Sequence, residues 1–240
     1  MATVILVRHG RTTANASGVL AGRLAGVRLD DTGQAQVAQA AERIASVPVA
    51  AVVTSPQERC RQTARAIAAG QPGGSPLRPV TERGLAECDY GEWQGRKLSD
   101  LAKEKLWRTV QGQPSAAVFP GGEAMVTMQH RAVEAVRRHD AAVEAEHGPG
   151  AVWVAVSHGD VIKAVVADAL GLHLDLFQRI NVDPASVSIV QYTPDRPYVL
   201  ATNTHAGDLS WLARPARKRT RKSGATVGGG AGPDPVTEGS

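Results

Sequence analysis

Residues 3–15 read TVILVRHGRTTAN. Thr3–Val7 is apolar and rich in β-branched residues, the pattern of a strand buried on both faces. With no polar spacer it runs into Arg8 and His9, followed at once by Gly10. A buried guanidinium is costly unless something pairs with it. A core strand that ends this way reads as a rigid mount for groups that meet a charged partner.

Four further segments read as strands: 50–54, 151–157, 186–193 and 197–203. "PVAAVVTSP" is a short apolar run closed by Ser55-Pro56, and "GPGAVWVAVSHG" opens on a Gly-Pro-Gly turn and closes at His158-Gly159. Helical patterns lie between them. "DDTGQAQVAQAAERIASV" starts at cap-type Asp31-Thr32 and repeats its apolar positions at helical spacing. A second helix is expected from Pro56, at a favoured first-turn position, to about Ala69. Others are expected over 97–111, 122–147 and Asp160–Leu170, the last ended by Gly171. This order predicts an α/β fold: a three-layer α/β/α sandwich with a mostly parallel central sheet. Ligands of open α/β sheets bind beyond the carboxyl ends of the strands. Arg8-His9, Ser55 with the nearby Arg59, and Ser157-His158 are therefore expected to converge on one crevice.

The 240 residues suit one domain, placed here at 1–212, and the 42% hydrophobic content suits a globular body. No apolar run approaches the roughly 18 residues of a spanning helix, and the N-terminus lacks a signal-type pattern. Cys60 and Cys88 offer neither a disulfide framework nor zinc spacing. A cytoplasmic protein is expected, with no membrane partner. Residues 213–240 hold six Lys or Arg and two acids, which leaves residues 1–212 with no net charge. This tail, basic and then Gly-rich, reads as disordered because it has little to bury. Nucleic acid is a poor match for a neutral body whose basic segment lacks aromatic residues.

Arg8, His9, Arg59 and His158, with Glu87 in "ERGLAECDYGEWQG", form the constellation with chemical content. Two arginines and two histidines around one point call for an anion, and arginine forks suit phosphate oxygens. A histidine among them can bind the phosphate or attack phosphorus. A nearby carboxylic acid can protonate a leaving oxygen and then serve as base for water. No carboxylate cluster suited to Mg²⁺ is evident, so neither a metal nor a cofactor is expected. The other five histidines (His130, His139, His147, His173 and His205) read as structural.

"LVRHGRTTAN" resembles the signature of the histidine phosphatase superfamily, branch 1, the phosphoglycerate mutase-like family. "LDDTGQAQ", "TSPQERCRQTA", "LAECDYGEWQG" and "VSHGDVIKA" resemble its later motifs in the family's order, over about residues 3–205. The overall pattern is also similar to an actinobacterial phosphomutase/phosphatase subgroup. The resemblance implies a phosphohistidine formed on His9, a phosphate pocket of Arg8, Arg59 and His158, Glu87 as proton donor, and Asn15 hydrogen-bonded to the transferred phosphoryl group. It gives Gly10 the task of letting the backbone turn. Gln94 and Lys163 depart from the usual Glu and Arg, and "FPGGEAM" has Ala124 where the family has Ser.

The implied function is metal-independent hydrolysis of a small-molecule phosphomonoester. The alternatives are a phosphomutase of the phosphoglycerate mutase type and a non-catalytic module that binds phosphorylated ligands. Elements expected of the glycolytic mutases between the acid and the second histidine are missing, which favours the phosphatase. Arg11, Arg23, Lys97, Trp107 and Arg108 are candidate substrate contacts.

Overall fold

The register of the central strands levels three of their carboxyl ends. In the computed structural model, which describes residues 2–72, 77–206, 227, 228 and 230, β1 (Thr3–Arg8), β2 (Ala51–Thr54), β3 (Val80–Thr81), β4 (Val152–Ser157), β5 (Val187–Tyr192) and β6 (Pro197–Thr204) form one sheet. Its order is β3-β2-β4-β1-β5-β6. β1, β2, β3 and β4 run parallel, whereas β5 is antiparallel to both β1 and β6. Arg8 is in register with Ser157, and Thr54 with Val156. The residues just past those ends must therefore meet.

Alternation along the strands feeds two cores. Ile5, Val7, Val154 and Val156 pack with Ala41, Ile44, Ala64 and Ile67, from α2 (Asp31–Ile44) and α3 (Glu58–Ala69). Val4, Leu6, Trp153 and Ala155 join Met128, Val136, Ile162 and Val165, from α6 (Met125–His147) and α7 (Gly159–Ala169). Helices on both faces of a mostly parallel sheet make the expected three-layer sandwich. The remaining helices are short: α1 (Thr13–Ala16), α4 (Leu98–Leu101) and α5 (Lys105–Gly112).

Local boundaries differ from the sequence expectation for physical reasons. The cap of α2 is Asp30, whose Oδ1 accepts from the Gly33 N–H at 2.7 Å, rather than Asp31-Thr32. Pro56 stands before α3, which begins at Glu58 after Gln57. The single helix expected over 97–111 is two, α4 and α5. β3 has two exposed residues and no apolar run to announce it. The 212/213 boundary and the basic run lie outside the described residues. Within the tail, Val227 is only 1% exposed and packs into the larger core.

Gly10 is needed for close approach, not for a turn. A Cβ there would lie 2.4 Å from the Gly33 carbonyl oxygen and 2.8 Å from Val37 Cγ2. The loop after β1 is thus pressed onto the first turn of α2. Gly10→Ala should cost about 2–3 kcal/mol, the scale of overpacking a tight interior, read as a lower urea midpoint at unchanged slope.

Candidate active site

Past the level strand ends, Arg8, His9, Arg59, Glu87 and His158 come together, none more than 2% exposed. His9 follows β1, and its N–H donates to the Ser157 carbonyl at 3.0 Å. His158 follows β4 and caps α7. Arg59 sits in the first turn of α3, directly after β2 and its loop. Glu87 comes from the stretch between β3 and α4, which is held by hydrogen bonds rather than by strand pairing.

The hydrogen bonds define both imidazoles. His9 Nδ1 lies 2.7 Å from the Gly10 carbonyl oxygen, which only accepts, so Nδ1 carries the proton and Nε2 is the bare nitrogen. Arg59 Nε donates to that Nε2 at 3.2 Å. Arg59 Nη2 donates to the Gly22 carbonyl at 2.8 Å and to His158 Nδ1 at 3.0 Å. His158 therefore keeps its proton on Nε2, which donates to Ser55 Oγ at 2.7 Å. The two rings meet edge-on, with centroids 5.2 Å apart. Arg59 Nη1 is buried and has no hydrogen-bond partner among the described residues.

Burial and positive neighbours dictate the protonation states. Desolvation, then the Arg59 and Arg8 guanidinium groups, hold His9 well below the usual imidazole range. Burial and Arg59 lower His158 in the same way. Glu87 moves the other way: burial, reinforced by the Asp160 carboxylate, raises it to about 7 against the pull of Arg59. Both imidazoles are thus neutral at pH 7, and Glu87 holds its proton to a far higher pH than an ordinary glutamate. Cys60, within 3.4 Å of His158 Nε2, is pushed up to about 12 by burial and stays a thiol.

A cavity of about 260 Å³ opens on His9, Asn15, Arg59 and Glu87. Arg8 and His158 lie behind it, fully buried, and Arg8 Nη1 donates to the Val182 carbonyl at 2.9 Å. Asn15 Oδ1 accepts from Thr12 N and Oγ1, which leaves its NH₂ group available on the cavity side. Arg11 and Arg23, expected as substrate contacts, are both engaged by carboxylates. Arg11 pairs with Asp30 at 2.8 Å, and Arg23 with Glu123 and Asp89. Trp107 stacks on Trp93.

Arg131 was not singled out in the sequence, where it is one of three arginines in the helix. It organises the acid's loop. Its guanidinium donates to the carbonyls of Gly84 (2.7 Å), Ala86 (2.8 Å) and Glu87 (3.1 Å) and to both oxygens of Glu123. Glu123 also accepts from the Asp89 N–H at 2.8 Å, so it joins the loop rather than merely opening α6. Gln94 Oε1 accepts from the Arg23 N–H, which ties the same loop to residues 22–23.

The histidine phosphatase superfamily (branch 1) model matches residues 4–205, and the chain belongs to that family. It is 32% identical over 223 residues to the "Probable phosphoglycerate mutase GpmB" of Cronobacter sakazakii, covering 90% of this chain and 97% of the relative. A solved mycobacterial glucosyl-3-phosphoglycerate phosphatase aligns with a TM-score of 0.75 at 24% identity, over 84% of this chain and 98% of that one. An Entamoeba histolytica phosphoserine phosphatase, solved with 3-phosphoglyceric acid, aligns at 0.74 and 19% identity, over 86% and 98%. The last two similarities concern the fold.

Replacing Arg131 by Met keeps the stem and removes the fork. The Gly84 and Ala86 carbonyls then lose their donor, while the Glu87 carbonyl and the Glu123 carboxylate keep Arg23. The expected cost is about 2–3 kcal/mol, the scale of leaving two part-buried carbonyls unsatisfied, measured by urea denaturation. Arg131→Lys should recover less than half of it, because one ammonium cannot reproduce the planar fork.

Proposed function

We propose that this member of the superfamily is a phosphomonoester hydrolase that works through a phosphohistidine on His9, without a metal, on a small phosphorylated metabolite. The observation that carries the reading is the neutral His9 ring. Its Nδ1–H is tied to the Gly10 carbonyl, so Nε2 offers its lone pair beside Arg59.

The dianionic phosphate of the substrate enters against Arg59, whose Nη1 lacks another partner. The Asn15 amide donates to a phosphoryl oxygen, and Arg8 and His158 complete the positive wall from behind. His9 Nε2 attacks phosphorus, the bond to the ester oxygen breaks, and protonated Glu87 gives its proton to the leaving alkoxide. Alcohol departs. Glu87, now a carboxylate, takes a proton from water as the water oxygen attacks phosphorus. The phosphorus–nitrogen bond breaks, releasing inorganic phosphate and regenerating His9. A carboxyl near pH 7 suits both half-reactions, since it must hold a proton in one and accept it in the other.

The test is phosphate release from a panel of phosphomonoesters by EDTA-treated enzyme, with movement of phosphate between hydroxyls of 3-phosphoglycerate followed separately. His9→Ala should reduce release by about 10³-fold or more, as for loss of a covalent nucleophile. Isomerisation without release would replace the hydrolase by a mutase, the activity in the name of the curated relative. Tight phosphate-ester binding with neither reaction would make the protein a binding module.

Leaving groups separate the role of Glu87. Glu87→Gln should slow alkyl phosphates by about 10²–10⁴-fold and aryl phosphates with acidic phenols far less. The pH profile has a definite sign. The acid is needed protonated and titrates near 7, so kcat/KM for alkyl phosphates should fall as pH rises above about 7, while that for the acidic phenols stays flat. Equal profiles for the two classes would remove Glu87 as the acid.

A further inference from the structure

One wall of the cavity comes from far along the chain. Val227, Gly228 and Gly230 line it beside Leu20 and Leu98. Two unlike contacts hold them. The Val227 side chain is buried in the larger core. The Gly228 N–H donates at 2.9 Å to Asp160 Oδ2, and the same oxygen accepts from Tyr90 Oη at 2.7 Å. Asp160 itself has no exposed surface, so this is a built receptor for one backbone N–H at the foot of α7.

Glycine is required at the contact. Gly228 has φ 73°, and a Cβ there would lie 2.8 Å from Leu20 Cδ1 and 3.7 Å from Tyr90 Oη. The backbone thus lies directly against the pocket lining, and space that would otherwise extend the cavity is occupied by main chain. With this wall in place the cavity is about 260 Å³, below the roughly 300–1,000 Å³ of common small-molecule pockets. His9, Arg59 and Asn15 claim one end of it for the phosphoryl group.

We propose that the wall formed by Val227, Gly228 and Gly230 sets substrate size, admitting phosphomonoesters of compact alcohols and excluding bulky ones. This rests on the phosphomonoester reading above. No hydrogen bond described joins Val227, Gly228 or Gly230 to His9 or Glu87 directly; the one link to the acid runs through Asp160, and the role proposed for these residues is selection. Val227→Asp puts a carboxylate into an apolar site and undocks the segment. Gly228→Val does so through its backbone angle and the collision with Leu20.

The experiment compares full-length wild type with both variants on glycerol 3-phosphate and adenosine 5′-monophosphate. Each variant should raise kcat/KM for the nucleotide about tenfold and change that for glycerol 3-phosphate less than about threefold, which is the range of discrimination a pocket wall supplies. Parallel changes for both esters, or none, would overturn the proposal. So would loss of folding in both variants, because the segment would then be core rather than a separable wall. Affinities for the two esters, measured in a His9→Ala background, require no turnover. A size preference in binding that both variants relax supports the wall even if intact enzyme releases no phosphate, an outcome that would instead remove the hydrolase. Equal relative affinities before and after undocking would overturn the wall whatever the turnover.

Discussion

The structure depends on keeping two guanidinium groups out of water at the carboxyl edge of the sheet. Removing an ion from water costs several kcal/mol even after relaxation, and Arg8 and Arg59 are both almost fully buried. Backbone carbonyls meet part of that cost: Val182 for Arg8 and Gly22 for Arg59. A protonated imidazole among them would add a third positive charge, so both histidines are held neutral. Neutrality turns a structural necessity into chemical potential. It leaves a bare nitrogen on His9 and an accepting nitrogen on His158.

The carboxyl that faces this cluster is balanced rather than simply paired. Arg59 and Arg8 favour its ionised form, and burial with Asp160 favours the neutral one. That balance depends on position, because Coulomb terms at short range change steeply with distance. The stretch carrying Glu87 has only isolated 3₁₀ turns, at Arg83–Leu85 and Gly91–Trp93. Its rigidity comes from Arg131, Glu123 and Arg23, whose charged groups bind its carbonyls and N–H groups directly. Arg23 Nε donates to the Glu87 carbonyl at 2.8 Å, and Arg131 donates to the same oxygen from the opposite element. A loop so held can place a carboxyl as firmly as a strand does.

Much of this was legible because strand ends are punctuated. The jump from Val7 to Arg8, from Thr54 to Ser55-Pro56 and from Val156 to Ser157-His158 marks three mounts, and parallel register brings them level. The five residues that converge were all visible in that way or in the stretch before α4. Arg131 was not, since an arginine on an amphipathic helix has the same local signature whether it faces water or clamps a loop. Nor could the sequence show that the forks of Arg11 and Arg23 are shared with Asp30, Asp89 and Glu123. β3 escaped notice because its two residues are exposed and pair only at an edge. Gly10 was correctly marked as special, for the wrong reason, because a backbone approach to α2 lies 23 positions away in the sequence.

The tail exposes a limit of reading order from composition. "TVGGGAG" is glycine-rich, and Val227 is its one large apolar side chain. Burying that valine contributes about 1.5–3 kcal/mol, and a hydrogen bond to the Asp160 carboxylate about 1.5–3 kcal/mol. Ordering the three described residues costs about 1–2 kcal/mol each. The two sides nearly cancel. Composition offers nothing to hold these three residues locally, and it is the tertiary contacts of Val227 and Gly228 that place them. Such a margin suits a segment that packs one side chain into the core while its backbone lines the cavity, and glycine is what keeps it narrow. A residue with a side chain at 228 would add strain, whereas a second apolar anchor would fix the segment for good.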